Sequence, residues 1–478
     1  MNNLMPIDNI ITKIYGNYSH MTDIITEFKN GISKSHNPII NIDDIKPNKI
    51  LPYESGKVVL RLADHLGQRK LFLTELQFLT NCVKSLKVKP EYCIYAGSSP
   101  GNKTHLLALL FPDIKFILID PNKFNIILAT GSTGDSHRKI KHDDIVHLNY
   151  IDYYGYNGNL ANCNKSNKLI LDLSKSQQNE ILDFIQKSTH KLYIIEDYMS
   201  IEFANLFKNI KNTVFISDIR SSVTLDDSPS DFDIIWNTSM MYNWINILQP
   251  ELSMIKFRMP YFNSINKELN DPQFLKNYKN DFNLSATNGI DFIKNYKNKK
   301  FVMYKSTLFI QPWPGRTSTE VRSIIYKKDV LNNNLVNYDI HLIENNLFYY
   351  NTLIRSWFYI KNSNADKNIN LCHCNDCAIE NNIWTNYINL KIQQNHIKTV
   401  SGGVIKLDKI TKKSLLKFHL NTIWHKWNFN KQTDISKFSN YINVIIPNII
   451  TKNILLNEKK FNKTKSMSKN NKGNKGKI

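Results

Sequence analysis

The residue types best suited to chemistry in this 478-residue chain are concentrated between Tyr92 and Asp120. An apolar run ends in the glycine turn 97–101, GSSPG, and a second apolar run, Phe116–Ile119, stops at Asp120. This order, a strand, a glycine turn, a helix, a second strand and then an acid, predicts a site for an adenosine-type cofactor. The glycines let the ligand approach the backbone closely, and the acid binds ribose hydroxyls. Asp120 follows Gly97 by 23 residues, near the usual spacing of about 20. The alternative is an α/β turn that binds nothing.

Four further charged residues lie at strand ends or beside apolar segments. Asp218 ends the run VFIS, Lys256 follows MI, and Glu320 precedes VRSII, whereas Lys70 lies on a helix before the first strand. Singly, each is explained as a cap or a solvated side chain. Because charges among apolar residues are costly unless paired, their combination favours a paired cluster.

The elements that must position these residues alternate between short apolar runs and helical stretches. This alternation is typical of an α/β fold with a mainly parallel, doubly wound sheet. A helix over Gln68–Leu86 precedes the first strand, and helices over Phe203–Ile210 and Ser239–Leu248 follow later ones. The other predicted strands are Leu192–Ile195, Val214–Ile216, Met254–Phe257, Phe301–Met303, Leu308–Ile310 and Val321–Ile325.

The polar, proline-containing residues 1–50 indicate an irregular N-terminal arm. Residues 51–360 form the predicted main domain, in which 121–190 are too long for a simple crossover and indicate an insertion. A mixed helical C-terminal extension over 361–457 precedes 458–478, a lysine-rich tail predicted to be disordered.

The formal net charge of +21 and pI near 9.4 indicate an acidic partner, most simply nucleic acid. Lysine excess from an A/T-rich genome is the alternative, and the tail alone contains eight lysines. Six cysteines without regular spacing favour a reducing compartment. The first 20 residues predict no signal peptide, and no run is apolar enough for a membrane span.

Five segments, in order, resemble the family of poxvirus cap-specific mRNA 2′-O-methyltransferases, which double as the small, stimulatory subunit of viral poly(A) polymerase. The resemblance covers about residues 50–360 and implies a Rossmann-like class I fold, S-adenosylmethionine as cofactor, capped mRNA as substrate and a large DNA virus as source. The segments are Gln68–Lys70, Tyr95–Gly101, Ile216–Arg220, Lys256–Tyr261 and Gln311–Arg322.

The resemblance implies a catalytic tetrad of Lys70, Asp218, Lys256 and Glu320. Lys256, with a depressed pKa, would share or remove the proton of a ribose 2′-hydroxyl. Lys70 would lower that pKa further and help hold the oxygen. The carboxylates would orient the lysines but favour charged Lys256, so the sequence leaves the net direction of its pKa open.

The cofactor site implied by the resemblance departs from the family at two positions. Lys103 stands where the family has histidine, and Asn122 stands where it has arginine. Tyr198 and Met199 occupy the place that flanks the adenine. The cofactor-binding residues are then Tyr95, Gly97, Ser99, Gly101, Asp120, Tyr198, Met199, Asp218 and Arg220.

The family also stacks 7-methylguanine between two aromatic rings, with acids reading the edge of the base. Thr317 replaces the second ring, which Trp313 could supply, and Asn263 replaces an acid. Ordinary core packing is the alternative for Tyr261 and for Trp313. The implied cap-binding residues are Tyr53, Tyr261, Asn263, Trp313 and Glu344.

A cysteine cluster, Cys372, Cys374 and Cys377, lies outside the resemblance. Three thiols could bind zinc with His373, His396 or His419 as the fourth ligand. Adjacent Cys-His-Cys does not easily surround one ion and no second CxxC follows, so reduced structural cysteines are favoured over zinc.

The resemblance implies methyl transfer to the ribose 2′-oxygen of the first transcribed nucleotide of capped mRNA, in the host cytoplasm or the virion. Two other functions stay open. One is an RNA-binding processivity subunit of a viral poly(A) polymerase with weak or no catalysis. The other is a ribose 2′-O-methyltransferase that acts on uncapped RNA.

Overall fold

A computed structural model gives the structure of this chain for a defined set of residues. These are 39–41, 67–101, 103–124, 145–148, 170–220, 231–259, 272, 295, 298–309, 311–312, 319–349, 379, 382–384, 386–387 and 389–390.

Nine of the strands in these ranges form one sheet. The strands are β1 (Ile39–Asn41), β2 (Tyr92–Ala96), β3 (Lys115–Ile119), β4 (Ile145–His147), β5 (Leu192–Ile195), β6 (Thr213–Ser217), β7 (Leu252–Phe257), β9 (Thr307–Phe309) and β10 (Val321–Tyr326). Their order across the sheet is β1-β9-β10-β7-β6-β2-β3-β5-β4. The segment from β7 to β4 is parallel, whereas β10, β9 and β1 continue the sheet in antiparallel pairing. The predicted mainly parallel α/β fold is confirmed.

A smaller antiparallel sheet pairs β8 (Lys300–Tyr304) with β11 (Leu335–Asp339). The helices are α1 (Gly67–Ser85), α2 (Thr104–Leu110), α3 (Lys175–Lys187), α4 (Ile201–Phe207), α5 (Asp231–Leu248), α6 (Lys327–Leu331) and α7 (Ile340–Tyr349), with a 3₁₀ turn at Ile170–Asp172. None of the helices in the described ranges has the length and apolar character needed to cross a membrane.

The central strands read as unbroken apolar runs because helices cover both faces of a parallel sheet. β2 and β6 are buried at every position. The range 121–190, which the sequence analysis treats as an insertion, includes β4 and α3, and β4 pairs with β5 at the edge of the same sheet.

Residues beyond 360 contribute to the same core through one short helical stretch. Trp384 is fully buried, and its ring lies 6.2 Å from that of Phe72 on α1. Tyr387 packs on Phe111 and donates a hydrogen bond to the carbonyl of Leu110 over 3.1 Å. Part of the predicted C-terminal extension therefore supports α1, the helix on which Lys70 lies.

Candidate active site

The predicted site residues lie where parallel strands end at one edge of the sheet. From β2 the chain passes to β3 on one side and later returns to β6 on the other. The crevice between β2 and β6 is therefore the topological switch point, where doubly wound sheets bind ligands. The glycine turn follows β2, Asp120 follows β3, and Asp218 follows β6.

Gly97 is required because two turns meet closely at this crevice. Its φ of +76° lies in the left-handed region, and a Cβ atom there would stand 2.8 Å from the backbone nitrogen of Ile219. Any side chain would force the turn after β2 away from the turn after β6. The absence of a Cβ thus lets the turns after β2 and β6 pack against each other at the switch point.

Asp120 is buried at the tip of β3, and its carboxylate organises the glycine turn. Oδ2 accepts from the backbone N–H of Ser99 over 3.1 Å, whereas Oδ1 accepts from the backbone and side-chain nitrogens of Asn122 over 2.8 and 3.1 Å. The Ser99 hydroxyl donates to the carbonyl of Lys123. Since each carboxylate oxygen accepts about two hydrogen bonds, Oδ2 keeps one position for a ribose hydroxyl.

Arg220 supplies an unsatisfied donor on the other side of the crevice. Its Nη1 donates to the carbonyl of Ile219 over 3.1 Å, while Nη2 is buried with no hydrogen-bond partner among the described residues. Burial lowers the pKa of its guanidinium to about 10. A buried donor of this kind needs an acceptor, and the carboxylate of an amino-acid moiety has the right charge and geometry.

The remaining cofactor candidates differ in exposure. Tyr198 and Met199 follow β5 at the same edge, with Tyr198 70% exposed and Met199 buried. An exposed ring beside a buried thioether suits the flank of an adenine. Tyr95 is buried within β2, and its hydroxyl donates to Glu75 on α1 over 2.5 Å.

The predicted tetrad assembles, and Arg322 extends it to five residues of alternating charge, here called the charge array. Arg322 Nη1 lies 2.6 Å from Asp218 Oδ1, and that oxygen lies 3.3 Å from Lys256 Nζ. Lys256 Nζ lies 3.7 Å from Glu320 Oε2, and Lys70 Nζ lies 3.1 Å from Glu320 Oε1. Each carboxylate therefore contacts two cations.

The antiparallel pairing of β10 with β7 explains why residues distant in sequence meet here. Arg322 is the register partner of Lys256, and Val321 is that of Phe257. Glu320, directly before β10, is thereby placed at the carboxyl end of β7. The amide of buried Gln311 donates to Glu320 Oε1 over 3.1 Å and fixes that carboxylate.

Burial decides the direction of the Lys256 pKa. It lowers the pKa of Lys256 more than Asp218 and Glu320 raise it, and Arg322 adds to the decrease. Burial alone would raise the pKa of Asp218, but Arg322 and then Lys256 lower it below its usual value. Burial alone would also raise the pKa of Glu320, but nearby cations, of which Lys256 has the largest effect, lower it below its usual value. Lys256 thus lies between two ionised carboxylates with a raised tendency to lose its proton.

Most of the cap candidates cannot be placed by the structure. Tyr53, Tyr261, Asn263 and Trp313 lie outside the described residues. Glu344 is buried on α7, with Oε2 4.0 Å from Nδ1 of His341. The metal candidates Cys372, Cys374 and Cys377 also lie outside the described residues.

Two functional candidates escaped the sequence interpretation, namely Arg322 and Glu75. Arg322 is 2% exposed near the start of the buried strand β10, and Glu75 is 4% exposed on the packed face of α1. A charged residue inside an apolar pattern was the available signal for both. Asp218, Arg322 and Lys103 all act electrostatically on Glu75, so it belongs to the same cluster.

Glu75 predicts a specific dependence of stability on pH. Burial raises the pKa of Glu75 from 4.5 to about 7. A raised pKa in the folded state gives stability that is present below pH 4.5 and lost as the pH rises through 7. Relative to Glu75→Gln, which stays neutral, the wild type should lose up to about 3 kcal/mol of unfolding free energy between pH 5 and 8.

Urea unfolding of wild type and variant at both pH values measures this difference. Replacing Glu180 with glutamine at an exposed position of α3 is the matched control and should show no such difference. If the difference in unfolding free energy between wild type and Glu75→Gln is the same at pH 5 and pH 8, the prediction is contradicted.

Comparison with known families adds one match. A family model described as poly A polymerase regulatory subunit matches residues 34–150 and 169–288. No curated protein matches the chain at a significant level. The matched ranges include the glycine turn, Asp120, Asp218 and Lys256, and they end before Glu320.

Proposed function

We infer that this chain belongs to the poly A polymerase regulatory subunit family, and we propose that its site methylates the ribose 2′-oxygen of the first transcribed nucleotide of 7-methylguanosine-capped mRNA. The observation that supports this reaction best is the position of Lys256. It is a buried amine with a lowered pKa, held between Asp218 and Glu320.

S-adenosylmethionine, when bound, supplies a methyl group activated by the positive charge on sulfur. The residues at the crevice fit its parts. Gly97 lets the two turns of the crevice meet, Asp120 Oδ2 can accept from the ribose, and Arg220 Nη2 can donate to the carboxylate. Tyr198 and Met199 would flank the adenine.

The charge array would act on the hydroxyl that receives the methyl group. A 2′-hydroxyl is only weakly acidic, so it needs a base to accept its proton as the bond from its oxygen to the methyl carbon forms. The neutral amine of Lys256 would be that base. Asp218 and Glu320 would orient that amine and stabilise the ammonium produced. Lys70, bonded to Glu320, would help to hold the oxygen in line with the methyl carbon.

The decisive experiment is transfer of a labelled methyl group from S-adenosylmethionine to short capped RNA. Labelling of capped RNA, but not of uncapped RNA or of capped RNA already methylated at this 2′-oxygen, is the expected result. Labelling independent of the cap would instead assign the protein to uncapped RNA. Absence of labelling on every RNA would overturn the proposed reaction.

A second function is favoured by the family match itself, which names a regulatory subunit of poly(A) polymerase. In that function the chain would bind RNA and the polymerase catalytic subunit and increase processivity. Both functions can coexist in one chain. Addition of this protein to a poly(A) polymerase reaction, with lengthening of the tail as the readout, tests the second function separately.

Cofactor binding has its own prediction at Asp120. Asp120→Ala should weaken affinity for S-adenosylhomocysteine about 10- to 100-fold, because a charge-assisted hydrogen bond to the ribose contributes about 1.5–3 kcal/mol. Isothermal titration calorimetry measures this effect. Asp183→Ala, which removes an exposed carboxylate of α3 paired with Lys187, is the control and should bind normally. Equal affinities would remove Asp120 from the cofactor site.

A further inference from the structure

Gln311 is a buried glutamine whose side chain contacts the charge array through Glu320. The pairing of β9 with β10 explains its place. Arg322 is the register partner of Phe309. Continued by two residues, the same antiparallel register sets Gln311 opposite Glu320. Since directly opposite residues of an antiparallel pair have their side chains on the same face, the amide reaches this carboxylate.

Gln311 and Lys70 share one oxygen of Glu320. The Gln311 amide donates to Oε1 over 3.1 Å, and Lys70 Nζ donates to the same oxygen over 3.1 Å. These two donors fill the usual capacity of a carboxylate oxygen, which is about two hydrogen bonds. Because an ionised carboxylate only accepts, the amide nitrogen and not the amide oxygen must face Glu320. The two donors therefore fix the rotation of the carboxylate.

The other oxygen of Glu320 is left at an intermediate distance from Lys256. Oε2 lies 3.7 Å from Lys256 Nζ, beyond the range of about 2.7–3.2 Å for an N–H···O hydrogen bond. A small rotation of the carboxylate would close this distance, and a hydrogen bond to a carboxylate favours the charged form of a lysine. The amide of Gln311 opposes that rotation, because the rotation would break its bond to Oε1.

The surroundings of Gln311 indicate that stability is not the reason for a glutamine here. Gln311 is fully buried, and its amide oxygen has no hydrogen-bond partner among the described residues. A buried acceptor without a donor destabilises the folded state. A methionine, which has a similar length, would fill the same place without that cost. The contact with Glu320 is therefore what the amide contributes.

We propose that Gln311 is a positioning residue, which holds the Glu320 carboxylate on Lys70 and so prevents Oε2 from closing on Lys256. Under this restraint the amine of Lys256 stays easier to deprotonate, in agreement with the lowered pKa of Lys256. The effect on the amine follows from the contacts of Glu320, whereas the effect on methyl transfer rests on the proposed function.

A Gln311 variant can alter the titration of Lys256 by one route. Among the described residues, the Gln311 side chain bonds to Glu320 and to no other member of the cluster. The other charged and titratable groups of the cluster should keep their places. They are Asp218 and Arg220 after β6, Arg258 after β7, Arg322 on β10, Lys70 and Glu75 on α1, Tyr95 on β2 and Lys103 before α2.

The experiment compares the wild type with Gln311→Met and with a control, Gln178→Met. Gln178 is buried on α3, where its amide donates to the carbonyls of a 3₁₀ turn and of Leu173, so the control removes a buried amide outside the charge array. The first readout needs no RNA. Lys256, whose side chain is 16% exposed, is acylated with acetic anhydride from about pH 6 to pH 10 and quantified by mass spectrometry, because the neutral amine is the form that reacts.

We expect the acylation profile of Lys256 to move to higher pH in Gln311→Met, with about three- to tenfold less reaction at pH 7. The profile should stay in place in Gln178→Met. Thermal unfolding of Gln311→Met should match that of the wild type, because Lys70 still donates to Glu320 Oε1. An unchanged acylation profile in Gln311→Met would overturn the proposal.

The second readout is methylation of capped RNA. In Gln311→Met, kcat should fall about tenfold at pH 7 and recover at about pH 9, with little change in KM. Gln178→Met should lose stability but keep the pH profile of the wild type. A moved acylation profile with an unchanged kcat would overturn the role of Gln311 in methyl transfer. If the wild type methylates no RNA while the acylation profile still moves, the proposed reaction fails and the effect of Gln311 on Lys256 stands.

Discussion

Replacing Lys256 with methionine should reduce kcat for methylation of capped RNA by about 10²- to 10⁴-fold, the usual contribution of a positioned proton acceptor. The fold should survive this change. Without Lys256, Asp218 still pairs with Arg322 and Glu320 still pairs with Lys70. Affinity for S-adenosylhomocysteine should change little, so the loss should fall on kcat.

Lys256→Arg separates a proton acceptor from a purely electrostatic role. Arginine keeps the positive charge but does not lose its proton at accessible pH. If Lys256 accepts the proton, the arginine variant should be nearly as inactive as the methionine variant. If the charge alone matters, arginine should restore much of the rate, which would contradict the proposed role of Lys256.

The pH profile gives a second readout of the same group. Because burial holds the pKa of Lys256 below 10.5, kcat of the wild type should rise with pH and level off before that value is reached. The rise reflects the growing fraction of neutral amine. A flat profile in the wild type would argue against deprotonation of Lys256 in the rate-limiting step.

Arg322→Met should lower the unfolding free energy by about 3–5 kcal/mol at neutral pH, as expected when one partner of a buried ion pair is removed. Arg322 is 2% exposed and lies 2.6 Å from Asp218. Its removal leaves the carboxylate of Asp218 with Lys256 as its ion-pair partner and with the weaker influence of Arg220. Urea unfolding at pH 7 measures the effect.

The sign of the pH dependence follows from Asp218. Its pKa is lowered in the folded state, so its contribution to stability is present above the ordinary value of 3.8 and is lost as the pH falls. The cost of Arg322→Met should therefore shrink below about pH 4. Adding Asp218→Asn should recover part of the loss at pH 7, because a neutral amide no longer requires the cation.

Lys327→Met is the matched control for Arg322→Met. It also removes one cation from an ion pair, Lys327–Glu251 at 2.7 Å, but these side chains are 36% and 29% exposed. A pair of that kind contributes about 0–1 kcal/mol. Similar losses in the two variants would show that burial of Arg322 is not what makes its pair with Asp218 important.

Local patterns in the sequence were sufficient to predict most of the strands and the polar residues at their ends, whereas the roles of these residues came from the family resemblance. Apolar runs that stop at a glycine turn or an acid identified the strands and the residues at their tips, as at Asp120 and Asp218. Four charged residues in apolar surroundings, Lys70, Asp218, Lys256 and Glu320, were expected to pair, and the distances confirm that they do. These inferences succeed because burial patterns and strand ends are local properties of a chain.

The tertiary structure alone decided which charged residues are in contact and whether burial or the carboxylates control the pKa of Lys256. The register of β10 on β7 places Arg322 beside Lys256, and the packing of α1 places Glu75 beneath Tyr95. Neither contact follows from spacing along the chain. The direction of the Lys256 pKa depends on burial against two carboxylates, and burial is fixed only when distant segments pack together. The sequence by itself determined which charged residues are available to the charge array, whereas the fold determined their electrostatic environment.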